Sequence, residues 1–276
     1  MTSRLPVRKT YKLFIGGAFV RSESGRYDRI EGEAAAAVNI PRASRKDVRD
    51  AVAAARKALS SWAGRTPYNR GQILYRFAEA LESRAGDIGA KRSEVEAAID
   101  VLVHYAGWTD KLQPVLGGIN PVAAPFLSFS VPEPTGVVGV IAPDSPPLLG
   151  LVAELAPALA AGNTVVAVLS DARPLSGLDL GEVMGIADVP GGVVNLLSGR
   201  RAELAPVLAG HHALNAIVNA TGESTLAAEI DKLAAESVTR VRHTTASESY
   251  ADATADPLSR LEALTELKTA WHPVGA

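Results

Sequence analysis

Residues 133–141 read Glu133-Pro134-Thr135-Gly136-Val137-Val138-Gly139-Val140-Ile141, and residues 155–166 read Leu155-Ala156-Pro157-Ala158-Leu159-Ala160-Ala161-Gly162-Asn163-Thr164-Val165-Val166. The first stretch ends in an apolar run of strand length, and the second delivers another such run after a helix-length connection. Two strands joined in this way pair in parallel through a right-handed crossover. Working outward, the pattern repeats: short apolar runs at 137–141, 164–169, 193–197 and 214–218 alternate with helical stretches starting near Pro147, Pro174, Arg200 and Ser224. Runs that are apolar throughout, rather than at every second residue, are buried on both faces of a sheet. The expected fold is α/β, with a doubly wound parallel sheet.

Toward the amino end the periodicity is helical. Val48, Val52, Ala55, Leu59 and Trp62 recur at spacings of four and three, on one helical face, with Ser44 and Asp47 forming a capping box ahead of it. A second helix opens at Thr66 with Pro67 in the first position, where its missing N–H costs nothing, and buries Ile73, Phe77, Leu81 and Ile88. A third runs from Ser93 to about Leu112 and buries Val95, Ile99, Leu102 and Tyr105.

The 276 residues, 47% hydrophobic and 21% charged with a formal net charge of -2, suit a globular chain with a sizeable core. Without a basic cluster there is no electrostatic footprint for nucleic acid. The longest apolar segment, around Leu148 to Leu159, is interrupted by Glu154 and Pro157 and is too short to span a membrane. Met1 to Lys12 has no apolar run of a signal peptide, so a cytoplasmic address is expected. There is no cysteine, which excludes disulfides and thiolate metal sites. His104, His211, His212, His243 and His272 lack metal-ligand spacing, and no G-x-S-x-G elbow occurs, so no metal site and no catalytic residue is assigned. Trp62 and Trp108 read as packing residues, and Glu229, Asp231, Lys232 and Glu236 as a solvated helical face.

Several ordered blocks resemble the aldehyde dehydrogenase family. Tyr11 to Phe19 looks like its opening hairpin; Asp47 to Trp62 and Thr66 to Glu82 resemble its first helices; residues 133–141, 155–166 and Gly191 to Asn195 resemble three of its most recognisable blocks. The resemblance covers most of residues 10–235. It implies a Rossmann-like NAD-binding domain over 1–243 with an N-terminal helical region and a β-arm hairpin at about 121–133. It implies further that 244–260, read as a solvated linker from its small polar composition, stands where the family has its catalytic domain. Residues 261–276 then resemble the family's oligomerisation strand.

That family attacks its aldehyde with a cysteine thiolate, which this sequence lacks. The resemblance places vestigial cofactor-binding residues at Ser145, Asp171, Gly222 and Ser224. Ser145 stands where the family has an oxyanion-stabilising amide, Val168 where it has a lysine, and Asp171 where a carboxylate meets the ribose. Asp144 and Glu223 add negative charge beside these positions, and Thr221 or Ser224 reads most simply as a helix N-cap. No cofactor is therefore expected, NAD(P) binding being possible but weakened. The function implied is that of a catalytically inactive structural or regulatory subunit, forming a homo-oligomer or a hetero-oligomer with a full-length aldehyde dehydrogenase. The alternative is an enzyme or nucleotide-binding regulator using the remodelled NAD(P) cleft without a thiol.

Overall fold

The computed structural model describes residues 9–31, 37–244 and 250–274. A tight hairpin, β1 (Leu13–Ile15) and β2 (Ala18–Val20), is followed by the two-stranded ribbon β3 (Tyr27–Glu31) and β4 (Ala37–Pro41). Three long helices come next: α1 (Arg45–Ala63), α2 (Pro67–Ser83) and α3 (Arg92–Ala106). After α4 (Leu112–Leu116) come β5 (Gly118–Asn120) and β6 (Phe126–Pro134). The alternating part consists of β7 (Val137–Ile141), α5 (Pro147–Ala160), β8 (Thr164–Val168), α6 (Leu175–Ile186) and β9 (Val194–Leu197). It continues with α7 (Arg201–Ala209), β10 (Ala216–Asn219), α8 (Ser224–Ala235) and β11 (Arg240–His243). A short helix α9 (Pro257–Glu262) leads into β12 (Thr265–Pro273).

The main sheet has the order β11-β10-β7-β8-β9-β1-β2. Its β7 to β11 strands are parallel, and the β1–β2 hairpin adds antiparallel strands at one edge. β7 and β8 are buried at every position, as strands covered on both faces must be. One layer holds α2, α3, α5 and α6, and the other holds α1, α7 and α8, so the two faces bury separate apolar clusters. The hairpin turn at Gly16 and Gly17 has φ of 63° and 82°, and a Cβ on Gly17 would lie 2.7 Å from the Gly191 backbone.

The expected helix starts hold. Ser44 and Asp47 form a complete capping box, and the Thr66 side chain accepts from Asn69 N–H ahead of Pro67. The third helix ends at Ala106, with Gly107 as its cap, and α4 is a separate turn; Ile88 is buried but lies beyond α2.

The reading of 244–260 as a solvated linker needs correction over the described part. Residues 250–262 contain a 3-10 turn and α9, and Ala253, Arg260 and Leu261 are buried. The cause is Glu154, the charge in the middle of the apolar α5, which is 1% exposed. Its Oε1 accepts from Arg260 Nη1 at 2.8 Å, from Tyr250 Oη at 3.1 Å and from Thr244 Oγ1 at 3.1 Å, while Oε2 lies 3.4 Å from Arg242 Nη1. A buried carboxylate must be paired, and this segment supplies Arg260 and Tyr250, joined by Arg242 and Thr244 from the end of β11. Desolvation and the neighbouring Glu154 push the Tyr250 phenol well above its ordinary range. Tyr105, close by, is pushed up to about 12, chiefly by burial.

The second sheet has the order β12-β6-β5. β12 pairs antiparallel with β6 along its whole length, from Thr265 opposite Pro134 to Pro273 opposite Phe126. The β5–β6 hairpin spans 118–134, longer than the expected 121–133, because Gly118 to Asn120 pair back onto Ser128 to Ser130.

Candidate functional site

The chain leaves β7 toward β8 on one side and leaves β10 toward β11 on the other. Between these adjacent strands the connections diverge, and in doubly wound sheets the crevice at that point, outside the carboxyl ends of the strands, is where ligands bind. Its walls are residues 142–146 after β7 and 220–223 after β10, with the turns after β8 and β9 alongside.

Arg201, the first residue of α7, spans this crevice and is 5% exposed. Its Nη2 donates to Asp144 Oδ1 at 2.8 Å and to the Ala142 carbonyl at 3.3 Å, and Nη1 donates to Glu223 Oε1 at 2.5 Å. Its Nε is buried without a partner. The Arg201 backbone N–H meets both carboxylate oxygens of Asp171, at 2.9 and 3.0 Å, so Asp171 satisfies a free donor at the positive end of α7. Ser170 Oγ donates to Asp144 Oδ1 at 2.6 Å. Burial alone would raise the Asp144 carboxyl, but the Ser170 hydroxyl, the Arg201 guanidinium and the Ala172 N–H outweigh it and hold it below the ordinary carboxylate range. Asp171 goes the other way. Desolvation of its carboxylate end, with the negative charges of Asp144 and Glu223, outweighs the Arg201 N–H and charge and raises it.

All four sequence-derived positions border this cluster. Ser145 follows Asp144 on the exposed lip, ahead of a cis peptide bond to Pro146. Gly222 turns the chain with φ of 73° and Ser224 is the exposed first residue of α8. Neither Thr221 nor Ser224 caps α8: the N-cap is Glu223, with no side-chain bond to the helix. Thr221 Oγ1 instead donates to Asn219 Oδ1 at 2.8 Å and accepts from Glu223 N–H at 3.1 Å. The Glu223 carboxylate is drawn to Arg201 because a charge-assisted bond outweighs a cap on an exposed turn. Val168 lies in the apolar layer and not in the crevice.

Arg201 is the residue that sequence reasoning missed. Asp144 and Glu223 read as adverse charges, yet two carboxylates on facing loops call for a cation between them. The second arginine of Arg200-Arg201, opening a largely buried helix, was the available signal. The arrangement can clamp two loops together. It does not fit a pyrophosphate, which would bring further negative charge to a guanidinium already held by two carboxylates, unless Glu223 swings away. Among the described residues, no group of three or more histidine, aspartate or glutamate side chains could hold a metal, and no helix is long and apolar enough to cross a membrane.

A sequence profile described as the aldehyde dehydrogenase family matches residues 19–251. Similar proteins include the putative aldehyde dehydrogenase DhaS of Bacillus subtilis (strain 168), 31% identical over 87% of this chain and 52% of the relative. Cytosolic 10-formyltetrahydrofolate dehydrogenase of Xenopus tropicalis is 34% identical over 76% of this chain and 25% of the relative. Among solved structures, the NAD+ complex of an aldehyde dehydrogenase from Bacillus cereus superposes with a TM-score of 0.78 at 28% identity, covering 85% of this chain and 50% of that one. PnpE from Pseudomonas sp. WBC-3, in complex with nicotinamide adenine dinucleotide, gives a TM-score of 0.80 at 28% identity, covering 86% of this chain and 51% of that one. This chain thus spans about half the length of the DhaS protein and of the two solved chains. With the sequence profile and the doubly wound sheet both in agreement, the chain belongs to the aldehyde dehydrogenase family.

Proposed function

We propose that this protein is a catalytically silent family member that serves as a structural or regulatory subunit, assembling with itself or with a full-length aldehyde dehydrogenase through the β5–β6–β12 arm. The observation that carries the reading is the absence of cysteine from all 276 residues. Covalent capture of an aldehyde as a thiohemiacetal needs a thiolate, and no other side chain in the crevice is paired with a base that could replace it. Ser170 donates to the carboxylate of Asp144 without an imidazole between them. The Arg201 clamp supports the companion reading that NAD(P) binds weakly, with Ser145, Asp171, Gly222 and Ser224 as the remnants of its site. The arm supports the assembly role: its outer strand is exposed from Glu266 to Pro273 and presents Leu267 and Trp271, each 60% exposed. A cytoplasmic location accords with this reading.

The test is a turnover assay of the purified chain with a panel of aldehydes and NAD(P), alongside calorimetric titration of the nucleotide. The expected outcome is no turnover, and nucleotide affinity weaker than about micromolar, or about -8 kcal/mol. Steady turnover that survives removal of contaminating dehydrogenases would overturn the reading.

A further inference from the structure

One side of β12 is covered and the other is not. Val274 N–H donates to the Pro125 carbonyl at 2.9 Å, and the Leu264 carbonyl accepts from Thr135 N–H at 3.3 Å, so the even-numbered residues direct their backbone groups toward β6. Leu267, Thr269 and Trp271 therefore direct theirs outward, where no strand among the described residues lies. Among the described residues, the first outward carbonyl, that of Thr265, is taken, by Arg240 at 2.9 Å. A row of unpaired N–H and C=O groups is a template for another strand.

We propose that this edge pairs antiparallel with the same edge of a second copy of the chain, about a two-fold axis through Thr269. The inference rests on the assembly reading above and commits it to one occupant. An outward-facing residue can pair only with another outward-facing one, so the axis passes through a residue and not between two. With the axis on Thr269 the strands overlap from Thr265 to Pro273. Leu267 then faces Trp271 of the second copy, and the Glu266 carboxylate faces the His272 imidazole of the second copy. Moving the axis to Lys268 sets two lysines against each other. Moving it to Ala270 sets His272 against Lys268 of the second copy. Moving it to Leu267 sets Glu266 against Lys268 of the second copy but shortens the overlap to Thr265 to Thr269, so the Thr269 register is the one that joins overlap of the whole strand to favourable facing pairs. That register also carries the Val274 end of the second copy past Thr265, toward a groove of about 690 Å³ lined in part by Val115, Leu116, Ala263 and Leu267. Val274 is 54% exposed in the single chain. Pro273, which lacks an N–H, stands at an outward position where it closes the ladder.

Because the chain has no cysteine, an introduced thiol is the only one present. Thr269→Cys should form a covalent dimer on mild oxidation, since hydrogen-bonded antiparallel partners have Cα atoms about 5.5 Å apart, within disulfide reach. Glu266→Cys alone should not cross-link, but should do so when mixed with the His272→Cys chain. Thr269→Pro removes an outward N–H and should reduce the mass measured by light scattering from dimer to monomer, with an unchanged circular dichroism spectrum. A monomeric intact chain, or a dimer in which Thr269→Cys fails to cross-link, would overturn the pairing. If the chain is monomeric alone yet binds a full-length family member in a way that Leu267→Asp abolishes, self-pairing falls and the assembly reading stands. If neither association depends on β12, both fall.

Discussion

Around Glu154 one carboxylate is held by two guanidinium groups, those of Arg242 and Arg260; in the crevice one guanidinium, Arg201, is held by the carboxylates of Asp144 and Glu223. The two clusters are charge inverses, and their central groups are about equally dry, with side-chain exposures of 2% for Glu154 and 6% for Arg201. Their partners differ. Arg242 and Arg260 are 15% and 7% exposed, whereas Asp144 and Glu223 are 44% and 51% exposed. What separates a structural joint from an adjustable clamp is therefore the solvation of the outer charges. Guanidinium groups that have already lost their water lose a buried charged partner when Glu154 is removed, while carboxylates at the lip of the crevice can return to water if Arg201 is removed.

The contrast is broken most directly at its dry end. Glu154→Ala leaves two largely buried guanidinium groups without that carboxylate and should cost about 3–5 kcal/mol in urea unfolding. Residues 250–264 should at the same time become accessible to protease. A loss under about 1 kcal/mol would mean that the segment docks without needing the Glu154 carboxylate.

Arg201→Ala should cost less, about 1–3 kcal/mol at neutral pH, because Asp144 and Glu223 regain water. Its pH dependence sharpens the comparison. Asp144 is held below its ordinary range in the folded chain, so its stabilisation is present above its unfolded pKa, about 3.9, and is lost as pH falls through the lower folded value. Asp171 has the opposite sign: its raised pKa makes the ionised form a cost at neutral pH, relieved as pH falls through that raised value. The deficit of Arg201→Ala relative to the parent chain should therefore shrink on acidification, as unfolding measured at about pH 7 and about pH 3 would show. A constant deficit would place the arginine's contribution in packing.

The smallest effect is expected at Tyr105, whose hydroxyl is buried without a hydrogen-bond partner near the Glu154 cluster. Tyr105→Phe removes a desolvated group that has no compensation and should change stability by no more than about 1 kcal/mol, toward stabilisation. A clear loss would show that the hydroxyl belongs to the Glu154 network.

The parallel sheet was legible because both kinds of signal agreed: runs such as Val137 to Ile141 are apolar at every position, and α5 and α6 between them open at Pro147 and Pro174. The crevice was legible only as positions. Ser145, Asp171, Gly222 and Ser224 do border it, but the pairing that organises it joins residues 57 and 22 apart, Arg201 with Asp144 and with Glu223. No periodicity records such a contact. Residues 250–260, read as linker, and 261–262, read as the start of the last strand, were misread for a related reason. Their composition is polar, and what orders them is a carboxylate some hundred residues earlier, as in the Glu154 bond to Arg260 across 106 residues.

The pairing of β6 with β12 also sets a timetable. Ser130 and Thr269, which share a hydrogen bond at 2.8 Å, are 139 residues apart, so during synthesis β6 leaves the ribosome long before its partner exists. At about 5–20 residues per second that interval is roughly 7–28 s, during which the doubly wound sheet can close while Phe126 and Leu127 wait for their β12 partners. A nascent chain must carry β6 with one edge open for that time, paired only to β5.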